Sequence, residues 1–161
     1  MENLKIITKE GKEIEISKEA AKLSEVLKGA MAEYPNEHII PLNEIDEKSA
    51  EKIKEYLTHL NGVAPPEIAK PITSNDMKSI TDEWSFEFID KMSLEEIVNL
   101  TVAANYMGIN CLLDLCCAKV ATLCKDKPEN EIFENFGIKE VFTEEERKKI
   151  KEENKWIEEN L

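Results

Sequence analysis

Asn3-Leu4-Lys5-Ile6-Ile7-Thr8-Lys9-Glu10-Gly11-Lys12-Glu13-Ile14-Glu15-Ile16-Ser17 is the stretch that decides the fold class. Leu4, Ile6 and Thr8 alternate with charged or polar neighbours, Ile7 excepted, and Ile14 and Ile16 resume the alternation after Lys9-Glu10-Gly11-Lys12. Period-two alternation on both sides of a glycine-containing turn predicts a β-hairpin. Most of the remaining chain has helical spacing, so the protein reads as α+β.

Working outward, Ser17 is placed to cap one helical stretch, in which Ala20, Leu23 and Leu27 recur at helical spacing. Gly29 and Pro35 mark its expected end. His38-Ile39-Ile40-Pro41-Leu42 predicts a third short strand, with Pro41 at its edge or end, where a missing N–H is tolerated. A helix is predicted over 47–60, because Ala50, Ile53, Leu57 and Leu60 share one face. A three-stranded sheet cannot bury itself, so these helices must pack against it.

Gly62, Pro65, Pro66 and Pro71 lie among Ser, Thr, Asn and Asp, which predicts a flexible loop over 62–82. The second half is helical. Ser93-Leu94-Glu95-Glu96 is a capping-box pattern that opens a helix with Leu94, Ile97, Val98, Thr101 and Val102 on one side. Gly108 is its expected stop. The next helix, from about 110 to 124, carries Leu112, Leu113, Leu115, Cys116, Cys117, Val120, Ala121 and Cys124. That is too wide an apolar surface for one stripe, and it predicts burial on more than one side.

Pro128 precedes Ile132, Phe133 and Phe136, as suits a first helical turn, and Thr143-Glu144-Glu145-Glu146 opens a final charged helix. On that helix Ile150, Ile157 and Leu161 form a line with Asn154 among them. Trp156 points roughly 120° away from it, at about 100° per residue. A large aromatic off the docking stripe of a charged helix is either a partner anchor or ordinary core. The expected organisation is thus 1–61 and 83–124 as one α+β domain, 62–82 as loop, and 125–161 as a helical extension.

Composition narrows the function. Among 161 residues 42% are hydrophobic and 34% charged, as in a globular chain, and the formal net charge is −13. A charge of that sign excludes nucleic acid and anionic membrane as main partners and favours a partner with a basic surface. The start, Met1-Glu2-Asn3-Leu4-Lys5-Ile6-Ile7, reads as neither leader nor membrane span, so the protein is expected in the cytoplasm or nucleus.

Cys111, Cys116, Cys117 and Cys124 crowd one helical segment. One helix cannot wrap zinc with four ligands, and neither His38 nor His59 lies near them in sequence to act as a base. Their ordinary reading is small apolar packing residues. Carboxylates are abundant and explained by helix starts, such as Glu144-Glu145-Glu146, and solvated faces. No glycine-rich phosphate motif occurs. No catalytic residue, metal or cofactor is therefore expected.

Five blocks carry a resemblance: Ala103-Ala104-Asn105-Tyr106-Met107-Gly108-Ile109, Leu112-Leu113-Asp114-Leu115, Phe136-Gly137-Ile138-Lys139, Phe142-Thr143-Glu144-Glu145-Glu146, and Glu153-Asn154-Lys155-Trp156. In this order and spacing, with Trp84 and Phe88 before them, the chain resembles the S-phase kinase-associated protein family. The hairpin, Pro41-Leu42 and Thr58-His59 fit more loosely.

The resemblance implies a BTB/POZ-like domain with extra C-terminal helices. It also implies a non-enzymatic adaptor between F-box proteins and a cullin N-terminal region in a ubiquitin ligase. It assigns F-box contact to Leu113, Val120, Phe136, Ile138, Lys139, Phe142, Asn154 and Trp156, and cullin contact to Asn105 and Tyr106. A chain of this kind is expected to form a weak homodimer when free, through uncovered apolar surface.

Two other readings compete. An elongin C-like adaptor is disfavoured by the long C-terminal extension, and a thiol enzyme would use Cys116 or Cys117. Four departures from the family stand out. Gly108 replaces a common acid, Ser85 replaces the acid after the tryptophan, and a Pro-containing loop replaces an acidic insert. Glu129 occupies the register of a proline that some protist members modify, so no modification is carried over to Pro128.

Overall fold

The computed structural model describes residues 3–139 and 142–158. The chain divides into two compact units, Met1–Asp126 and Lys127–Leu161.

The first unit opens with β1 (Asn3–Ile7) and β2 (Glu13–Ser17), paired antiparallel with Leu4 opposite Ile16 and Ile6 opposite Ile14. All four side chains are buried, so the alternation seen in the sequence faces the core. Gly11 takes the turn position with φ +84°, a conformation that costs other residues a Cβ clash. β3 (Ile39–Pro41) lies parallel to β1 on its other side, giving the order β2-β1-β3. Pro41 ends an edge strand, where no ladder N–H is missed.

The single helix expected after Ser17 is two helices, α1 (Lys18–Ala21) and α2 (Glu25–Glu33). Ser17 does cap α1, accepting from the Ala20 amide, but Ser24 restarts the chain as a second N-cap. Gly29 sits inside α2, which ends ahead of Pro35 with Tyr34 in a non-helical conformation.

α3 (Glu47–Leu60) follows Asp46 as N-cap and buries Ala50, Ile53, Tyr56 and Leu57. Segment 62–82 has only one turn of 3-10 helix, Met77–Ser79. Met77 is buried there, and Ile68, Ile72 and Ile80 pack against the core.

α4 (Glu83–Asp90), α5 (Leu94–Met107) and α6 (Asn110–Cys124) complete the unit. The capping box at Ser93 and Glu96 forms, and Gly108 ends α5 with φ +63°. The side of α5 on which Leu94, Ile97, Val98, Thr101 and Val102 were grouped is not buried as a unit. Ile97, Leu100, Ala103, Ala104 and Met107 are inside, while Val98 and Val102 are exposed. Apolar residues lie all round this helix, and its packing against α2, α3 and α6 selects the face. α6 touches α4, α5 and the Met77–Ser79 turn, which explains its wide apolar surface.

The second unit holds α7 (Glu129–Asn135), α8 (Glu144–Glu153) and α9 (Lys155–Glu158). The expected final helix is broken at Asn154, whose side-chain amide donates to the Ile150 carbonyl at 2.8 Å. Such local bonding competes with helix continuation. Ile150 and Ile157 remain 41% exposed each, so the anticipated docking line is not enclosed. Its last member, Leu161, lies outside the described residues.

Candidate protein-binding surfaces

Gly137 positions the first candidate group. Its φ of +61° lets α7 close in a Schellman motif: the Gly137 amide donates to the Glu134 carbonyl at 3.1 Å, and Ile138 donates to Phe133 at 2.8 Å. The chain therefore turns sharply, leaving Phe136 half-buried at the end of α7 and Ile138 and Lys139 exposed just beyond. Phe142 stands two residues ahead of Glu144, the first residue of α8, and is also exposed. The Thr143–Glu146 capping box holds that entry, because each side chain bonds the other residue's backbone amide.

Past the Asn154 break, Trp156 is 62% exposed, and Asn154 is exposed as well. No residue on α7 or α8 is buried. This unit thus presents Ile138, Phe142 and Trp156 to solvent, and exposed aromatic side chains, tryptophan above all, are the kind that partner interfaces use as anchors.

In the first unit, Leu113 and Val120 lie on α6 about two turns apart, both partly buried against the core. Cys117 sits between them on the same face and is exposed. The opposite side, with Leu112, Leu115, Cys116 and Ala118, is enclosed. Burial pushes the Cys116 thiol up to about 12, which keeps it protonated, and burial raises Cys111 too. Among the described residues, no group of three or more His, Cys, Asp or Glu side chains is placed to hold a metal ion.

Asn105 and Tyr106 are exposed on the last turn of α5. Val98 and Val102 fall on the same outward face, eight and four residues before Tyr106. The sequence reading grouped these valines with Leu94, Ile97 and Thr101 on one side and did not name them as an exposed apolar row. Ile97, Leu100, Ala104 and Met107 follow three- and four-residue steps, but so do Leu94, Val98, Thr101 and Val102, so spacing alone did not choose between the two faces.

A small three-stranded sheet under helices, followed by a helical unit with uncovered apolar side chains, defines a BTB/POZ-like α+β protein-binding module. The chain belongs to the Skp1 family: its tetramerisation domain matches residues 2–61 and its dimerisation domain residues 110–157. An S-phase kinase-associated protein 1 homolog of Tetrahymena thermophila is 40% identical over 156 residues, covering 97% of this chain and 94% of the relative. An E3 ubiquitin ligase complex SCF subunit sconC of Arthroderma benhamiae is 30% identical, covering 96% of this chain and 94% of its own. A protein of the same description in Neosartorya fischeri is 30% identical, covering 99% of this chain and all of its own length, 100%.

Proposed function

We propose that the chain is the non-catalytic adaptor of an SCF-type ubiquitin ligase, bridging F-box substrate receptors to a cullin. The observation that carries this reading is the exposure of Ile138, Phe142 and Trp156 on a helical unit without a buried residue on α7 or α8. Desolvating aromatic anchors of this kind is how helical motifs are held. The fungal relatives are described as SCF subunits, which supports the same role. Family membership and the C-terminal unit stand against the elongin C-like alternative.

F-box contact falls on Leu113 and Val120 of the first unit and on Phe136, Ile138, Lys139, Phe142, Asn154 and Trp156 of the second. Cullin contact falls on Asn105 and Tyr106. The free chain self-associates weakly through the same uncovered side chains, and the complex works in the cytoplasm and nucleus.

A pull-down with an F-box peptide tests the reading. The intact chain retains the peptide, and Trp156→Ala weakens retention about tenfold or more while unfolding normally. Failure of the intact chain to bind any F-box peptide rejects it. Sedimentation of the free chain over a concentration series tests self-association.

A further inference from the structure

We propose that the cavity walled by residues 64–67 is a binding site for a small organic amine, an apolar body carrying one ammonium group. This goes beyond the adaptor reading and does not depend on it.

The loop after α3 builds the wall. Asn61 ends α3 with φ +44° and Gly62 follows with φ +84°, so the chain leaves the helix in a sharp turn. A Cβ on Gly62 would stand 2.8 Å from the Glu19 carbonyl oxygen, an approach that only glycine fits. Further on, Ile68 and Ile72 pack on the core, and Lys70 binds Asp114 of α6 at 2.8 Å. Residues 64–67 are thus held at both ends, and Pro65 and Pro66 stiffen them. The space left between them, α3, the start of α6 and the turn after α1 is about 230 Å³. That volume suits one small organic molecule and not a folded segment.

The lining has an apolar part and a charged part. Leu23, Ile68 and Leu115 supply apolar wall. Tyr56 is 1% exposed, and its hydroxyl meets the Cys111 thiol, a weak hydrogen-bond partner. Burial raises the Tyr56 phenol above its usual range, so it stays neutral and offers a hydrogen bond but no charge. The formal charges are all of one sign. Glu25, Glu67 and Asp114 line the cavity, and among the described residues no lysine or arginine does. Lys70 answers Asp114 and Lys28 stands 3.8 Å from Glu25, but neither lysine is part of the lining. A ligand that lays an apolar body against Leu23 and Leu115 and sets a cation among the carboxylates matches both parts. An anion of the same shape meets three like charges.

The probe is phenethylamine, with phenethyl alcohol and hydrocinnamate as its neutral and anionic counterparts, each added to the full chain without any partner. The amine shifts the backbone amide NMR signals of Ala64, Glu67 and Cys111 along one saturable curve. It also slows iodoacetamide labelling of Cys111, which lines the cavity, while Cys117, which does not, labels as before. The alcohol binds at least about threefold more weakly, and the acid produces neither effect. Glu25→Gln combined with Glu67→Gln weakens the amine by about threefold or more. Both side chains are exposed, so this variant keeps the fold.

Equal binding of the alcohol, or unchanged affinity in the double variant, overturns the amine as the ligand. No shift at Ala64, Glu67 and Cys111, or equal protection of Cys111 and Cys117, overturns the site. With no F-box peptide or cullin present, neither failure bears on the adaptor reading.

Discussion

The Ser24 hydroxyl donates to the carbonyl oxygen of Met107 at 2.7 Å while accepting from the Leu27 amide at 3.2 Å. One buried side chain thus caps α2 and satisfies a carbonyl in the last turn of α5, 83 residues away in sequence. The Glu25 amide adds a second link to Gly108 at 3.4 Å. Ser24→Ala removes the cap and leaves the Met107 carbonyl without this donor. Its expected cost is about 1–3 kcal/mol, read from urea unfolding monitored by circular dichroism. A change under about 0.3 kcal/mol would show that water replaces the hydroxyl at both ends.

Gly108 has two independent reasons to be glycine. Its φ is +63°, and a Cβ there would stand 2.9 Å from the Glu25 Cβ. Gly108→Ala is expected to cost about 1 kcal/mol for the backbone, with the clash added. Gly108→Asp, the acid common in the family, adds a carboxylate beside Glu25 and should be no milder at neutral pH. A thermal melt on the two variants checks this, and an alanine variant as stable as the parent refutes it.

Acid should loosen two helix starts built alike. Asp46 accepts from the Ser49 amide at 3.0 Å and its hydroxyl at 2.7 Å, and Asp82 does the same with Ser85 at 3.0 and 2.7 Å. Burial alone would raise both carboxyls, but the hydrogen bonds outweigh it and hold both below the usual carboxylate range. A folded pKa below the unfolded one means the stabilisation is complete above about pH 4 and is lost as pH falls through the folded values. Both groups are largely solvated, so each contributes less than about 1 kcal/mol. Asp46→Asn and Asp82→Asn should flatten the fall in the urea midpoint below about pH 4. A parallel pH profile in the double variant would exclude these caps as its source.

The four thiols should differ in rate. Cys117 is exposed, Cys111 and Cys124 are partly covered, and Cys116 is buried with its thiol raised by that burial. A maleimide reagent is expected to label Cys117 first in the native protein and Cys116 only on unfolding. Fast, selective labelling of Cys116 would revive a thiol-dependent chemistry that its surroundings disfavour.

Local chemistry was the most legible part of the fold. The hairpin, the caps at Ser17, Ser93 and Thr143, and the stop at Gly108 each form where residues a few positions apart require them. The breaks at Ser24 and Asn154 were not anticipated, although both are residues that bond their own backbone. Either can sit quietly in a helix, and only the competition with neighbouring segments decides. Asp82-x-x-Ser85 shows the reverse: Ser85 looked like a loss of charge and is instead half of a cap.

Among the candidate contacts, Ile138, Phe142 and Trp156 could be named from the family blocks, and each is exposed. Val98 and Val102 could not, because a helix apolar on every side offers no clue to which face the domain takes.

By itself the sequence determined the strands, the hairpin turn, the caps at Ser17, Ser93 and Thr143, and the family, since φ/ψ preferences and capping bonds are settled within a few residues. Only the tertiary structure decided which side of α5 and α6 is core and which stays in water. A helix has no inside until its neighbours pack against it, and what they leave uncovered is the surface on which a partner must act.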